Sequence, residues 1–417
     1  MTLFKSNNLF YWGITLSSLD SFPLFRNVSM YAPFISIICF ILYYIQNAPH
    51  EKIRFKTNKF VICLIILYAF LISFIKGTFE YNNYSGFYNF SIQLVIAILL
   101  YKSFNLYFQS LKKEKYIETF TTIFVKCSFP ILLIGCLEIL IFPYKPLYST
   151  FMSLFSWRHT IDRIQLISGE PSWASRFILT YICLLPLASI NRRRKFILLF
   201  ISLIILFFTG SSLGIICIMV YFAITYFKKR YLIYYLGTMF LIVLISPIVF
   251  NSLNGYTRSR LEVLFSLSST DIETLAVNSG SGSIMARFGN PILAYYMGKD
   301  NPICGVGGGY FFVSQNSYMN SIFPNAKNIS NIEETGTTAK NLFARIFAEM
   351  GILCFSTMCI SIIWIYRNRI FNNYIRGVFF AMLLLTINFD SLLHIYPLLL
   401  FCFLLNCPTK IVRITSR

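Results

Sequence analysis

Apolar residues run along this chain in long unbroken stretches separated by short polar ones. The stretches do not alternate with a period of two, so they read as helices and not as strands. Twelve stand out: 8–24, 29–46, 59–76, 88–107, 119–142, 173–190, 196–210, 212–227, 231–250, 341–366, 372–389 and 391–407. A helix needs roughly 20 mostly apolar residues to cross a bilayer. A spanning backbone must also satisfy its own hydrogen bonds, which leaves helices or closed barrels. The pattern therefore predicts an all-α polytopic membrane protein with about twelve transmembrane helices.

Composition agrees with this reading. Of 417 residues, 56% are hydrophobic and 12% charged, with a mean hydropathy of +0.65. Soluble domains are about 25% charged, so lipid must solvate most of this surface.

The net charge of +20 would suggest nucleic acid if it lay on one surface domain. Instead it falls in short clusters between apolar runs: Lys52, Arg54, Lys56 and Lys59; Lys112, Lys113 and Lys115; Arg192, Arg193, Arg194 and Lys195; Lys228, Lys229 and Arg230; Arg367, Arg369 and Arg376; Lys410, Arg413 and Arg417. Alternate threading of the twelve spans puts every cluster on one side, as cytoplasmic loops require. Both termini are then cytoplasmic, and no nucleic-acid partner is expected. Most cysteines lie in apolar runs, and Cys304, alone in a long external segment, predicts no structural disulfide. The first stretch, interrupted by Asp20 and Arg26, lacks a small-residue cleavage site, so no cleavable signal peptide is expected.

This threading divides the chain into residues 1–250, with nine spans and an outer loop at 143–172; a large outer loop at 251–340; and residues 341–417, with three spans and a short cytoplasmic tail. The large loop, roughly 90 residues, is far longer than a connector needs. It balances six basic against six acidic residues, and its aromatic patches predict that it folds. No internal repeat is evident, which speaks against a secondary transporter.

Four segments could carry chemistry. The first outer loop holds Trp157-Arg158-His159, Arg163 and Gly169-Glu170-Pro171-Ser172, with Arg176 about one turn into the next helix. Pro171 forces an extended or turn conformation on Glu170. A charge at the depth of Arg176 is functional or paired. Two readings stand: an anion or acceptor site with Glu170 as general base, or a Glu170–Arg176 ion pair anchoring the helix. The second segment, Thr209-Gly210-Ser211-Ser212-Leu213-Gly214, reads first as a tight turn of small residues. The third comprises Gly280–Ser283 followed by Arg287, then Pro302-Ile303-Cys304-Gly305-Val306-Gly307-Gly308-Gly309. Such glycines can let backbone N–H groups approach a phosphate, though no Walker ending follows. The fourth is Lys340-Asn341 through Glu349-Met350-Gly351. Asn341, Arg345 and Glu349 share one helix face, and a helix N-terminus flanked by cations suits an anion. A snorkelling lysine and an internal Arg345–Glu349 pair is the other reading.

At these residues the chain resembles the O-antigen polymerase and O-antigen ligase superfamily of polytopic glycosyltransferases. The matching elements occur in the family's order: Glu170-Pro171-Ser172, the Thr-Gly-Ser turn, Arg287 before Pro-Ile-x-Gly-x-Gly, and Lys340-Asn341 with Glu349-Met350-Gly351-Ile352. A basic residue, ten residues and a glycine, a pattern of the polymerases, occurs at Arg158–Gly169 and Lys340–Gly351. Where the ligase form carries arginine and histidine, this chain has Ser212 and Lys340, so the resemblance leans to polymerase.

The resemblance implies a GT-C-like helical protein of the bacterial inner membrane with a periplasmic loop. Its reaction would join undecaprenyl-diphosphate-linked oligosaccharide repeat units on the outer leaflet, without metal, nucleotide or other cofactor. Glu170 would activate the acceptor hydroxyl. Arg287, Lys340 and Arg345 would hold the diphosphate, and Arg158, Arg163, Arg176, Asn341 and Glu349 would complete the substrate site. Membrane lipid and a chain-length regulator protein are the implied partners. A ligase acting on lipid A-core is the rival within the class, and a lipid-glycan flippase or a non-catalytic assembly partner the rivals outside it.

Overall fold

The computed structural model describes residues 6–25, 32–48, 57–157, 163–226, 271–279, 285–325, 339–370, 372–387 and 391–408. Helix is the regular structure throughout, and no strand occurs among the described residues. The chain runs through α1 (Ser6–Thr15), α2 (Phe34–Asn47), α3 (Thr57–Phe79), α4 (Ser85–Ser110), α5 (Tyr116–Ile141), α6 (Lys145–Phe155), α7 (Pro171–Leu184), α8 (Arg192–Thr209) and α9 (Ser212–Tyr226). There follow α10 (Ile272–Ser279), a π-helical turn (Met285–Gly289), α11 (Asn290–Asp300), α12 (Phe311–Ile322), α13 (Leu342–Arg369), α14 (Asn373–Ile387) and α15 (Ile395–Asn406).

Three described helices, α4, α5 and α13, are long and apolar enough to cross a membrane. The predicted run 8–24 holds a helix only to Thr15, followed by a turn and the 3-10 segment Pro23–Phe25. Likewise, 391–407 begins as a helix only at Ile395. The polar residues Asp20 and His394 therefore sit in connections between helices. The predicted span 231–250 lies outside the described residues. Within the large predicted loop, α10, α11 and α12 are folded elements.

The main core gathers α1, α2, α4, α5, α7, α8, α9, α14 and α15. At its centre is α7, buried along almost its whole length, as expected of a helix without a polar stripe. Helices α8, α9 and α14 pack around it. A second core joins the π-turn, α11 and α12 to the start of α13, through Met285, Leu293, Met297, Phe311, Met319, Ala339 and Ala348.

The two ends of this bundle differ. At one end Ser189 N–H donates to Thr122 Oγ1, Lys195 to the Pro186 carbonyl and Arg369 to the Cys407 carbonyl. The clusters at 112–115, 192–195 and 367–369 lie at this end. At the opposite end of α5 and α7, the connections carrying Asp20, Glu170, Lys340 and His394 meet.

Candidate functional site

The segment 163–170 is built around two carboxylates. Glu138, buried near the end of α5, accepts N–H bonds from Gln165 (3.0 Å), Leu166 (3.0 Å) and Ile167 (2.8 Å). Leu166 and Ile167 hold φ of 52° and 57°, a left-handed conformation that costs an L-residue about 1–2 kcal/mol each. In that conformation their N–H groups converge on one carboxylate, and hydrogen bonds to a carboxylate are strong enough to offset its cost. Asp20 holds the next stretch, accepting from Gly169 N–H (2.7 Å) and Ser168 Oγ (3.0 Å). Trp157 N–H donates to the Ser21 carbonyl, 3.1 Å away.

Glu170 thus emerges from a fixed turn. It is extended (φ −147°, ψ 144°), as the following proline requires, and it precedes the first turn of α7. Its carboxylate accepts from Ser172 Oγ at 3.2 Å.

Arg176, one turn further, is buried. Its guanidinium lies 5.4 Å from the Trp173 ring centroid, within cation–π range. Its Nη1 is 2.8 Å from Nδ1 and 3.0 Å from Nε2 of His394, nearly equidistant from the two ring nitrogens. Asp20, Ser17, Ser18, Ser168, Trp173, Arg176, His394 and Tyr396 line one small pocket, with Pro33 and Ile395 on its apolar side. The Tyr396 hydroxyl meets Ser17 Oγ at 2.9 Å.

Lys340 and Asn341 open α13 as their sequence suggests. Asn341 caps the helix, its Oδ1 accepting from Ala344 N–H at 3.1 Å. Lys340, just before it, takes φ 53°. Arg345 donates from Nε to Glu349 at 3.0 Å and from Nη1 to Gln93 of α4 at 3.3 Å. The internal Arg345–Glu349 pair therefore exists, and both partners are buried.

These elements form one electrostatic unit. Burial first, then the charges of Arg176, Lys340 and Arg345, push the His394 imidazole well below its ordinary 6.5. Burial raises the Asp20 carboxyl from 3.8 to about 7; the Gly169 N–H, Arg176 and Ser168 act against this, and the Glu170 charge adds to it. Asp20, Glu170, Arg176, Lys340, Arg345 and His394 thus belong to one neighbourhood, with Asn341 and Glu349 supporting the α13 side.

Other residues expected at the site are placed differently. Arg163 offers its carbonyl to the Tyr148 hydroxyl at 2.8 Å. Arg287 is exposed on the π-turn that leads into α11. Arg158 and Gly280–Ser283 lie outside the described residues, as does the side chain of Ser212.

The glycine run serves a different purpose from a phosphate cradle. Helix α13 is interrupted at Gly351 (φ 72°, ψ −173°), and the 302–309 loop docks into the break. Val306 N–H donates to the Ala348 carbonyl (2.8 Å), Gly307 N–H to Glu349 (3.0 Å) and Ile352 N–H to Pro302 (2.8 Å). On its other side, Gly308 N–H donates to Ser73 Oγ at 2.7 Å. Backbone packs on backbone here: a Cβ on Gly305 would lie 2.4 Å from the Glu349 carbonyl carbon. The Thr-Gly-Ser turn is also structural. Gly210 ends α8 with φ 58°, and a Cβ on Gly214 would lie 2.5 Å from Ser175 Cβ, so α9 seats closely against α7 below Arg176.

Sequence reasoning missed Asp20, Glu138, Gln93 and His394. Glu138 had a signal, since an acid inside an apolar span is functional or paired by default. His394 is one of only three histidines and stands where a short span begins. Gln93 offered none.

A family model described as O-antigen ligase matches residues 197–359, from α8 to the middle of α13. No curated protein matches the chain. The family match supports the O-antigen polymerase and ligase superfamily, whose members are glycosyltransferase-like membrane proteins acting on lipid-linked oligosaccharides, and covers both kinds of member.

Proposed function

We propose that this protein is an O-antigen-type polysaccharide polymerase of the bacterial cytoplasmic membrane. It joins undecaprenyl-diphosphate-linked repeat units at the outer face. The observation that carries this reading is the grouping of Arg176 of α7, in contact with His394, with Lys340 and Arg345 at the start of α13, whose charges also bear on that imidazole. Three cations on preorganised helix ends suit a lipid diphosphate leaving group, whose negative charge grows as the anomeric bond breaks. Polymerase is favoured over ligase because Lys340 and Ser212 stand where the ligase form carries histidine and arginine.

In the reaction, a hydroxyl of the acceptor repeat unit attacks the anomeric carbon of the growing glycan. The new C–O bond forms, and the bond from the anomeric carbon to the diphosphate oxygen breaks. The lipid diphosphate departs against these cations; Arg287, exposed on the π-turn and outside that cluster, is proposed to reach it from the loop side. The hydroxyl proton passes to Glu170, which the Glu138 and Asp20 contacts hold beside the pocket. A strain lacking the gene is expected to keep lipid A-core capped with single repeat units and to lose long chains. Uncapped core together with accumulated lipid-linked polymer would mean a ligase.

A further inference from the structure

Arg176, Lys340 and Arg345, three of the cations assigned to the diphosphate, share a half-buried neighbour that the reaction above does not use. His394 precedes α15 in the α14–α15 connection. Arg176 Nη1 lies 2.8 Å and 3.0 Å from its two ring nitrogens, and a cation that close disfavours a second positive charge on the ring. Each element packed around it brings charge. Arg176 comes from α7, and Lys340 and Arg345 from the start of α13, the latter paired with Glu349. Asp20 lines the same pocket from the turn after α1, and Glu170 acts on Asp20 from the cap of α7. Tyr396 lies two residues further on and binds Ser17.

We propose that His394 is a further diphosphate-binding residue that takes up one proton from solvent as the lipid diphosphate binds and then donates to a phosphate oxygen. This rests on the diphosphate reading of the site. In the empty protein three nearby positive charges and burial oppose a fourth. A bound diphosphate neutralises those charges and engages Arg176, so the imidazolium becomes the favoured form. The coupling has a defined sign. Above the His394 pKa of the empty site and below that of the loaded site, binding takes up a proton. Affinity in that window rises as pH falls, by up to about tenfold per pH unit for one proton. Outside the window His394 contributes no pH dependence.

The chain has three histidines, so a His50→Gln, His159→Gln variant of the full-length protein carries His394 as its one imidazole. Labelled with ¹³C-histidine in detergent, it is titrated at pH 7 with undecaprenyl diphosphate, and radiolabelled lipid follows binding separately. The expected spectrum moves from the neutral to the protonated Cε1 position as the site fills. Binding with an imidazole that stays neutral, or an imidazole already charged without lipid, overturns the assignment alone. Failure of the wild-type protein to bind the lipid overturns both the diphosphate reading and this assignment. As a second measure, His394→Gln is expected to flatten the pH dependence of lipid affinity relative to wild type; the lipid's own protons cancel in that comparison. Equal slopes would overturn the proposal.

Discussion

The joint between the 302–309 loop and α13 gives a sharp test of how this site is held. Gly351 adopts φ 72° and ψ −173°, a region essentially confined to glycine that costs other residues about 1–3 kcal/mol. A Cβ there would lie 2.1 Å from the Ile303 carbonyl oxygen and 2.8 Å from that of Pro302, both backbone atoms with no rotamer to move. Gly351→Ala must therefore expel the loop. Regular helix can then recover partners for the Ala348 and Glu349 carbonyls, but the N–H groups of Val306 and Gly307 lose theirs. Each lost bond costs about 0.5–1.5 kcal/mol, so the two together cost about 1–3 kcal/mol. Glu349, whose carboxylate holds Arg345, lies two residues from the break, so diphosphate binding falls with stability. Thermal unfolding of the purified protein in detergent and polymer length in cells read the two effects. Gly305→Ala breaks the same joint from the loop side, so the double variant is expected to cost less than the sum of the singles. A Gly351→Ala protein that melts with wild type and makes normal-length chains would refute the joint.

Two further predictions concern the outer segments. Glu138→Ala strands three buried N–H groups, at about 1–3 kcal/mol each if none is re-partnered. It is expected to expose 163–170 to external protease and to abolish polymer; protection equal to wild type would refute the role given to Glu138. Arg287→Ala is expected to lower polymerisation on the order of 10²–10³-fold at normal expression. Arg287→Lys should recover only part, because lysine cannot offer two parallel bonds to a diphosphate; normal chains from Arg287→Ala would remove it from the site.

Features that are local in the chain were legible in the sequence. Apolar runs marked α4, α5 and α13, Asn341 announced the helix cap it forms, and the four-residue spacing of Arg345 and Glu349 gave a true pair. Pro171 correctly fixed Glu170 as extended. The glycine run was ambiguous because backbone approaching a phosphate and backbone approaching backbone need the same residue; the break at Gly351 decided it. The acidic frame was hidden for another reason. Glu138 and Ile167 are 29 positions apart and Asp20 and Gly169 are 149 apart. Nothing in Leu166 or Ile167, poor left-handed residues, advertises a conformation that only a distant carboxylate makes favourable. His394 is invisible until α7 and α13 bring their cations to it.

Chain elongation at the cation cluster can be read directly. The direct measurement uses the purified protein in lipid nanodiscs with one defined undecaprenyl-diphosphate-linked repeat unit, products resolved by length. The expected products are a ladder of lipid-linked oligomers and released undecaprenyl diphosphate, both lost with Lys340→Ala. No ladder, but transfer of the glycan to added lipid A-core, would contradict chain elongation.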